Sequence, residues 1–124
     1  MSNIENYVIT TKLDARAQLH LMRKLAAALH ILDGLAADEN KGKDMSFLTV
    51  MILAQLNDAD SDFVVNRCLS VVSRKQGDTL SKVLSPTGSI MFDDLTVDQM
   101  LNLTAKVLES NLGDFLRTAL HGLA

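Results

Sequence analysis

Three aspartates in the middle of the chain have a spacing that could coordinate calcium. Asp58, Asp60 and Asp62 match the opening of an EF-hand loop, where alternate residues supply carboxylate ligands. Such a loop also needs glycine at its sixth position and glutamate at its twelfth, and this chain has Phe63 and Leu69 there. The three carboxylates fit better as the acidic start of a helix, which the helix macrodipole favours.

The histidines are the second group that could bind a metal ion. His20 and His30 are ten residues apart, so within one helix they lie nearly three turns from each other and cannot share an ion. His121 belongs to a separate C-terminal segment, and no cysteine, histidine and carboxylate side chains are grouped with metal-ligand spacing. We therefore predict surface histidines and no metal site.

Cys68, the single cysteine, could act as a nucleophile. Its neighbours Val64, Val65 and Val72 place it on the apolar side of a predicted helix, where a cysteine is usually unreactive packing. A lone cysteine also excludes an intrachain disulfide and is typical of a reducing compartment. Because the chain has no glycine-rich phosphate loop and no Gly-x-Ser-x-Gly elbow, we predict no catalytic residues, no cofactor and no enzymatic activity.

Composition and charge restrict the partners. The 124 residues include 12 basic and 15 acidic side chains, a net charge of −3, which argues against a dedicated nucleic-acid binder. No apolar run approaches the roughly 18 to 20 residues that span a membrane, and the start MSNIENYVITTKLD lacks the pattern of a signal peptide. We expect a soluble cytoplasmic protein with one helical domain over residues 1–124, of which residues 1–13 form an N-terminal arm that can be extended.

Apolar periodicity predicts the first two helices. The first begins after Asp14 as its N-cap and ends near Gly34, and its apolar side covers about 200° of the helix. The second covers residues 45–56 after Asp44 and is apolar on nearly every side. A helix of this kind is normally buried, so it should form the centre of the fold.

The second half of the chain predicts further helices and one turn. An amphipathic third helix covers residues 62–74, a fourth begins at the capping-box pair Thr96 and Gln99 and runs to about residue 111, and a short fifth covers residues 114–120. The apolar runs 80–84 and 90–92 flank a Ser-Pro-Thr-Gly turn, which predicts a small β-hairpin around residues 80–92 or, alternatively, an irregular loop. The predicted fold class is mainly α, a compact bundle of four to five helices.

The first and fourth helices carry more apolar surface than one small bundle needs to bury. Exposed surface of this kind marks an interaction site, so we predict self-association or the coating of a hydrophobic segment of another protein. The candidate interface consists of Leu21, Leu25, Ala28, Leu32 and Leu103.

The first helix also has a polar stripe with several cations, formed by Arg16, His20, Arg23, Lys24 and His30. These side chains could meet acidic partners or phosphates. Cations on a solvated helix face are also ordinary, and the acidic balance of the whole chain favours that simpler interpretation.

Four stretches of the sequence resemble the tail assembly chaperones of long-tailed, lambda-like bacteriophages. They are QLHLMRKLAAALHILDG, VNRCLSVVSRKQ, SIMFDDLT and VLESNLGDFL, which together cover roughly residues 14–116. The resemblance implies a small, mostly helical, non-enzymatic factor that coats the tape measure protein, helps to recruit tail tube subunits and is absent from the finished virion. It also implies a host-cytoplasmic location and, in many members, a longer product made by ribosomal frameshifting, of which this chain would be the short form.

Two alternatives to a chaperone stay open from the sequence. Helices two to four could form a helix-turn-helix unit of a transcription regulator, although the third helix exposes only Arg67 and Arg74 as cations for phosphate contacts. The chain could also be an oligomeric scaffold without a chaperone role.

Overall fold

The computed structural model describes residues 4–29 and 45–123. Within these residues four helices pack beside a three-stranded antiparallel sheet with strand order β1-β2-β3, so the fold is mixed and not a helical bundle alone. In chain order the elements are β1 (Tyr7–Ile9), α1 (Ala15–Leu29), α2 (Met45–Ala54), α3 (Asp58–Leu69), β2 (Val72–Gln76), β3 (Thr79–Lys82) and α4 (Val97–Leu123).

Helix α1 begins as the sequence predicts. The Asp14 Oδ1 atom accepts a hydrogen bond from the Ala17 backbone N–H at 2.8 Å, which is the geometry of an N-cap. Ala17, Leu21 and Leu25 follow at four-residue intervals and are all buried, so they form one continuous inward face. The predicted end of this helix at Gly34 and the predicted cap Asp44 lie outside the described residues.

Helix α2 is not buried on every side, so its predicted place at the centre of the fold is wrong. Thr49 and Ile52 are buried, whereas Val50 is 41% exposed. The helix packs against α4 and α1, which cover one side and leave the other open. It also ends at Ala54, before the predicted residue 56.

Helix α3 begins and ends earlier than the predicted range 62–74. Asn57 is its N-cap and accepts a hydrogen bond from the Asp60 backbone N–H at 2.8 Å, and Asp58 and Asp60 form the acidic first turn. The residues beyond Leu69 leave the helix because Val72 and its neighbours pair with other strands, and β-branched valines suit a half-buried strand.

The hairpin predicted around residues 80–92 is displaced. The hairpin in the structure joins β2 to β3 through Gly77 and Asp78, and Gly77 has the positive φ of 64° that glycine adopts without steric cost. The predicted turn at residues 85–88 does form, with Gly88 N–H donating to the Ser85 carbonyl at 2.9 Å. Its two sides pair through an isolated antiparallel β-bridge between Leu84 and Ile90 and through the backbone hydrogen bond from Met91 N–H to the Val83 carbonyl at 2.8 Å, without forming two full strands.

Helix α4 starts at the predicted capping box but does not stop where predicted. Thr96 N–H donates to Gln99 Oε1 at 2.9 Å, and Gln99 N–H donates to Thr96 Oγ1 at 3.1 Å. One helix of 27 residues then continues through Gly113, so the predicted stop near residue 111 and the separate fifth helix are wrong. Asn111 donates from Nδ2 to the Val107 carbonyl within the helix, so its side chain supports the helix and does not end it.

The core is aliphatic and is shared by all the helices and the sheet. Its largest fully buried side chains are Leu21, Leu25, Thr49, Ile52, Val64, Leu69, Val72, Val83, Val107 and Leu108. This core fixes the faces of α2, α3 and α4 that remain open to solvent, which are the surfaces that a partner can reach.

Candidate protein-interaction surfaces

Four of the five predicted interface residues lie in the core. Leu21 and Leu25 are 0% exposed, Ala28 is 1% exposed and Leu103 is 2% exposed. The structure therefore does not present these side chains to a partner, because α1 and α4 pack on each other and on α3. Leu32 lies outside the described residues and stays a prediction.

An apolar groove lies between α2, α3 and α4. Its walls are Val50 and Leu53 of α2, Val65 of α3, and Met100 and Leu101 of α4, and it has a volume of about 480 Å³. At its mouth Val97 is 61% exposed and Ile90 is 39% exposed.

The lining of the groove is not wholly apolar. Asp62 and Asn66 of α3 also line it and supply polar groups. This apolar groove is an exposed hydrophobic surface made of residues other than the predicted interface residues.

The apolar periodicity of the sequence could not identify the groove. Val50 falls in the helix predicted to be buried throughout, and Val97 lies at the start of the predicted fourth helix. Periodicity shows only that each position carries an apolar side chain. Exposure depends on which neighbour covers a helix face, and that neighbour is distant in sequence.

A second cleft lies on another side of α3. It is lined by His20, Arg23 and Lys24 of α1 and by Asp60 and Phe63 of α3, with Leu56 and Ala59 completing a volume of about 510 Å³. Lys24 Nζ forms an ion pair with Asp60 Oδ1 at 2.8 Å. We call this site the Phe63 cleft.

Cations surround the aromatic ring of the Phe63 cleft. Lys24 Nζ lies 5.8 Å from the ring centroid of Phe63, and Arg67 Cζ lies 5.3 Å from it, both within the range of cation–π attraction. The His20 ring is tilted against the same phenyl ring at a centroid distance of 6.5 Å. The sequence shows the cations of α1 as a polar stripe, but it cannot show that Phe63 and Arg67 of α3 join them.

An ion pair attaches the segment before α4 to the sheet. Arg74 of β2 donates from both guanidinium nitrogens to the two carboxylate oxygens of Asp94, and its guanidinium lies over the rings of Tyr7 and Phe92. These hydrogen bonds hold the pKa of Asp94 below its usual value and raise that of Arg74. The pair thereby holds the segment between Ile90 and Val97, the two residues at the mouth of the groove.

Packing accounts for the position of Cys68, and a helix start accounts for the positions of Asp58 and Asp60. Cys68 is fully buried, and this burial raises the pKa of its thiol to about 12. Asp58 and Asp60 form the first turn of α3. In the described part of the chain, no three histidine, cysteine or acidic side chains are grouped to hold a metal ion, and no helix is long and apolar enough to cross a membrane.

A family model described as phage tail assembly chaperone protein, TAC, matches residues 4–124, which is nearly the whole chain. No curated protein and no solved structure matches the chain.

Proposed function

The chain belongs to the phage tail assembly chaperone family, and we propose that it binds and coats the tape measure protein during tail assembly. In this role it acts in the host cell cytoplasm without enzymatic activity, helps to recruit tail tube subunits and is absent from the mature virion. Several copies associate to perform it. A chaperone requires a surface for its client and no catalytic group. Family membership also favours this role over a transcription regulator or an anonymous scaffold.

The apolar groove is the observation that supports client binding. Val50, Ile90 and Val97 expose aliphatic side chains around a depression whose floor is also aliphatic. An amphipathic helix binds to such a surface by inserting apolar residues spaced three and four positions apart. The tape measure protein is expected to supply helices of this kind.

The size of the groove is also compatible with a chaperone that must dissociate from its client. A volume of about 480 Å³ accommodates only a few side chains, so one groove would bind one segment weakly and reversibly. Several copies along one long client would gain avidity without any stronger individual contact. Self-association of the chaperone would place such grooves in a row.

The experiment that tests this proposal compares two exposed positions. Val97→Asp places a carboxylate at the mouth of the groove, whereas Leu80→Asp places one on an exposed leucine of β3 outside it. Each variant is co-expressed with the tape measure protein of the same phage, and the soluble fraction of that protein is measured. We expect Val97→Asp to lower the soluble fraction and Leu80→Asp to leave it unchanged.

Circular-dichroism melts establish that both variants are folded. The proposal is wrong if a folded Val97→Asp variant keeps the tape measure protein soluble as well as the unmodified chain does. A strict monomer in light scattering at all concentrations, alone and with the client, would contradict the oligomeric part.

A further inference from the structure

We propose that the Phe63 cleft binds an acidic segment of a partner protein, at a site separate from the apolar groove. The two sites lie on different faces of α3, because Phe63 lines the cleft and Val65 lines the groove, and two residues along a helix are about 200° apart. A partner in one site therefore does not compete directly for the other. The inference stands on the cleft itself and does not depend on tape measure binding.

The charge of the cleft is opposite to that of the whole chain. The protein has a net charge of −3, yet Arg23 and Lys24 line the cleft, and Lys24 and Arg67 lie over its Phe63 ring, Arg67 from the adjoining depression that Phe63 also lines. Bringing like charges together is unfavourable, and a bound carboxylate relieves that repulsion. An acidic partner is thus the complement of this surface.

Asp60 shows how the cleft holds a carboxylate. Its Oδ1 atom lies 2.8 Å from Lys24 Nζ, beside the Phe63 ring. Lys24 is therefore occupied, whereas Arg23 and Arg67 are exposed and form no ion pair with any carboxylate of the described residues. These two guanidinium groups are the ones available to a partner, and guanidinium binds carboxylate with two parallel hydrogen bonds.

The apolar residues that line the cleft indicate which uncharged side chains the partner segment should carry. Leu56, Ala59 and Phe63 are apolar and partly accessible, so they favour an aliphatic side chain between the carboxylates. The expected ligand is a protein segment in which glutamate or aspartate alternates with leucine or a similar residue. Nucleic acid fits less well, because its backbone has phosphates but no aliphatic side chain to place on this apolar lining.

The test uses the full chain and a fluorescein-labelled peptide of repeated Glu-Glu-Leu, with a Gln-Gln-Leu peptide as its matched control. Fluorescence polarisation at low salt gives the two dissociation constants. We expect binding of the glutamate peptide only, and weakening by added salt. Arg23→Glu and Arg67→Glu should each weaken binding by about fivefold or more. Asp60→Asn should tighten binding, because it removes the competing carboxylate and frees Lys24.

Lys106→Glu, at an exposed position of α4, is the control for a change of charge alone. It should leave the affinity unchanged. The gain expected for Asp60→Asn cannot result from misfolding, so the series stays informative even if one charge reversal unfolds the chain.

Four results would overturn the proposal. The first is no binding of the glutamate peptide, or equal binding of both peptides. The second is a loss of affinity for the glutamate peptide that is as large in Lys106→Glu as in Arg23→Glu. The third is tighter binding of a labelled single-stranded oligonucleotide of the same charge as the peptide. The fourth is self-association of the chain that Arg23→Glu abolishes, which would make a second copy the occupant of the cleft.

Discussion

Arg74 and Asp94 form a two-point ion pair, with Nη1 2.7 Å from Oδ1 and Nη2 3.0 Å from Oδ2. The pair joins the central strand of the sheet to the segment that precedes α4. That segment leads directly into the capping box of Thr96 and Gln99, at which α4 begins.

The first prediction is that the stabilising effect of this pair depends on pH. The pKa of Asp94 in the folded chain lies below its ordinary value of 3.8, so its contribution is present above that value and is lost as the pH falls through the folded pKa. Asp94→Asn should therefore lower the melting temperature at about pH 7, and the difference from the unmodified chain should shrink towards about pH 2. Circular-dichroism melts at several pH values between these two measure the difference in melting temperature.

Asp93→Asn is the matched control, because Asp93 is an exposed neighbour outside the pair. It should not alter the melting temperature at neutral pH. A difference for Asp94→Asn that stays constant down to about pH 2 would show that the ion pair is not its cause.

The second prediction concerns the thiol of Cys68. With its pKa raised to about 12 by burial, almost none of it is thiolate at neutral pH, and the thiolate is the reactive form. Native protein should react with Ellman's reagent only on the slow timescale of unfolding, whereas protein in guanidinium chloride should react at once. A fast, complete reaction of the native chain would contradict the buried position.

The third prediction uses two buried threonines that differ in one hydrogen bond. Thr49 Oγ1 is buried and has no hydrogen-bond partner among the described residues, whereas Thr104 Oγ1 donates to the Met100 carbonyl at 2.8 Å. Thr49→Val removes an unsatisfied hydroxyl and should raise the free energy of unfolding by about 1 kcal/mol. Thr104→Val should not raise it, because a hydrogen bond is lost.

Urea denaturation of the two valine variants makes this comparison. Valine and threonine have nearly the same shape, so packing changes little in either case. Equal changes at both positions would mean that the Thr49 hydroxyl is satisfied in solution.

The fourth prediction concerns Asn111, whose Oδ1 accepts a hydrogen bond from the Leu13 backbone N–H at 3.0 Å and from Gln18 Nε2 at 3.4 Å. Asn111→Ala leaves the Leu13 N–H without its acceptor and should cost about 1 to 3 kcal/mol of stability. Hydrogen exchange at Leu13 should become faster. Glu109→Ala, at an exposed position of the same helix, should change neither quantity.

Local hydrogen bonds were the part of the fold that the sequence predicted well. Asp14 and the pair Thr96 and Gln99 bond within three residues along the chain, so their residue types and spacing are sufficient. The acidic first turn of α3 was recognised for the same reason. The family resemblance was also confirmed, because it rests on sequence stretches and not on packing.

Contacts between distant residues account for the errors. Val71 and Val72 fit a helical pattern, and only pairing of β2 with β1 and β3 makes this region a strand. Gly113 resembles a helix stop, but it lies buried within the continuous α4. Leu21 and Leu25 were placed at an interface because the sequence shows that a helix face is apolar without showing which element covers it.

The hydrogen bond between Leu13 and Asn111 spans 98 positions of the chain, and Tyr7 pairs with Arg74 across the sheet. During translation the hydrogen bond between Leu13 and Asn111 waits until that part of α4 has left the ribosome, since synthesis proceeds from the N-terminus, whereas Tyr7 can pair with Arg74 once β2 has emerged. Closing so long a loop is slow, and it follows the formation of local helices. A ribosome that stalls before α4 therefore releases a chain in which β1 can pair with β2 but the Leu13 N–H, at the entrance to α1, has lost its acceptor.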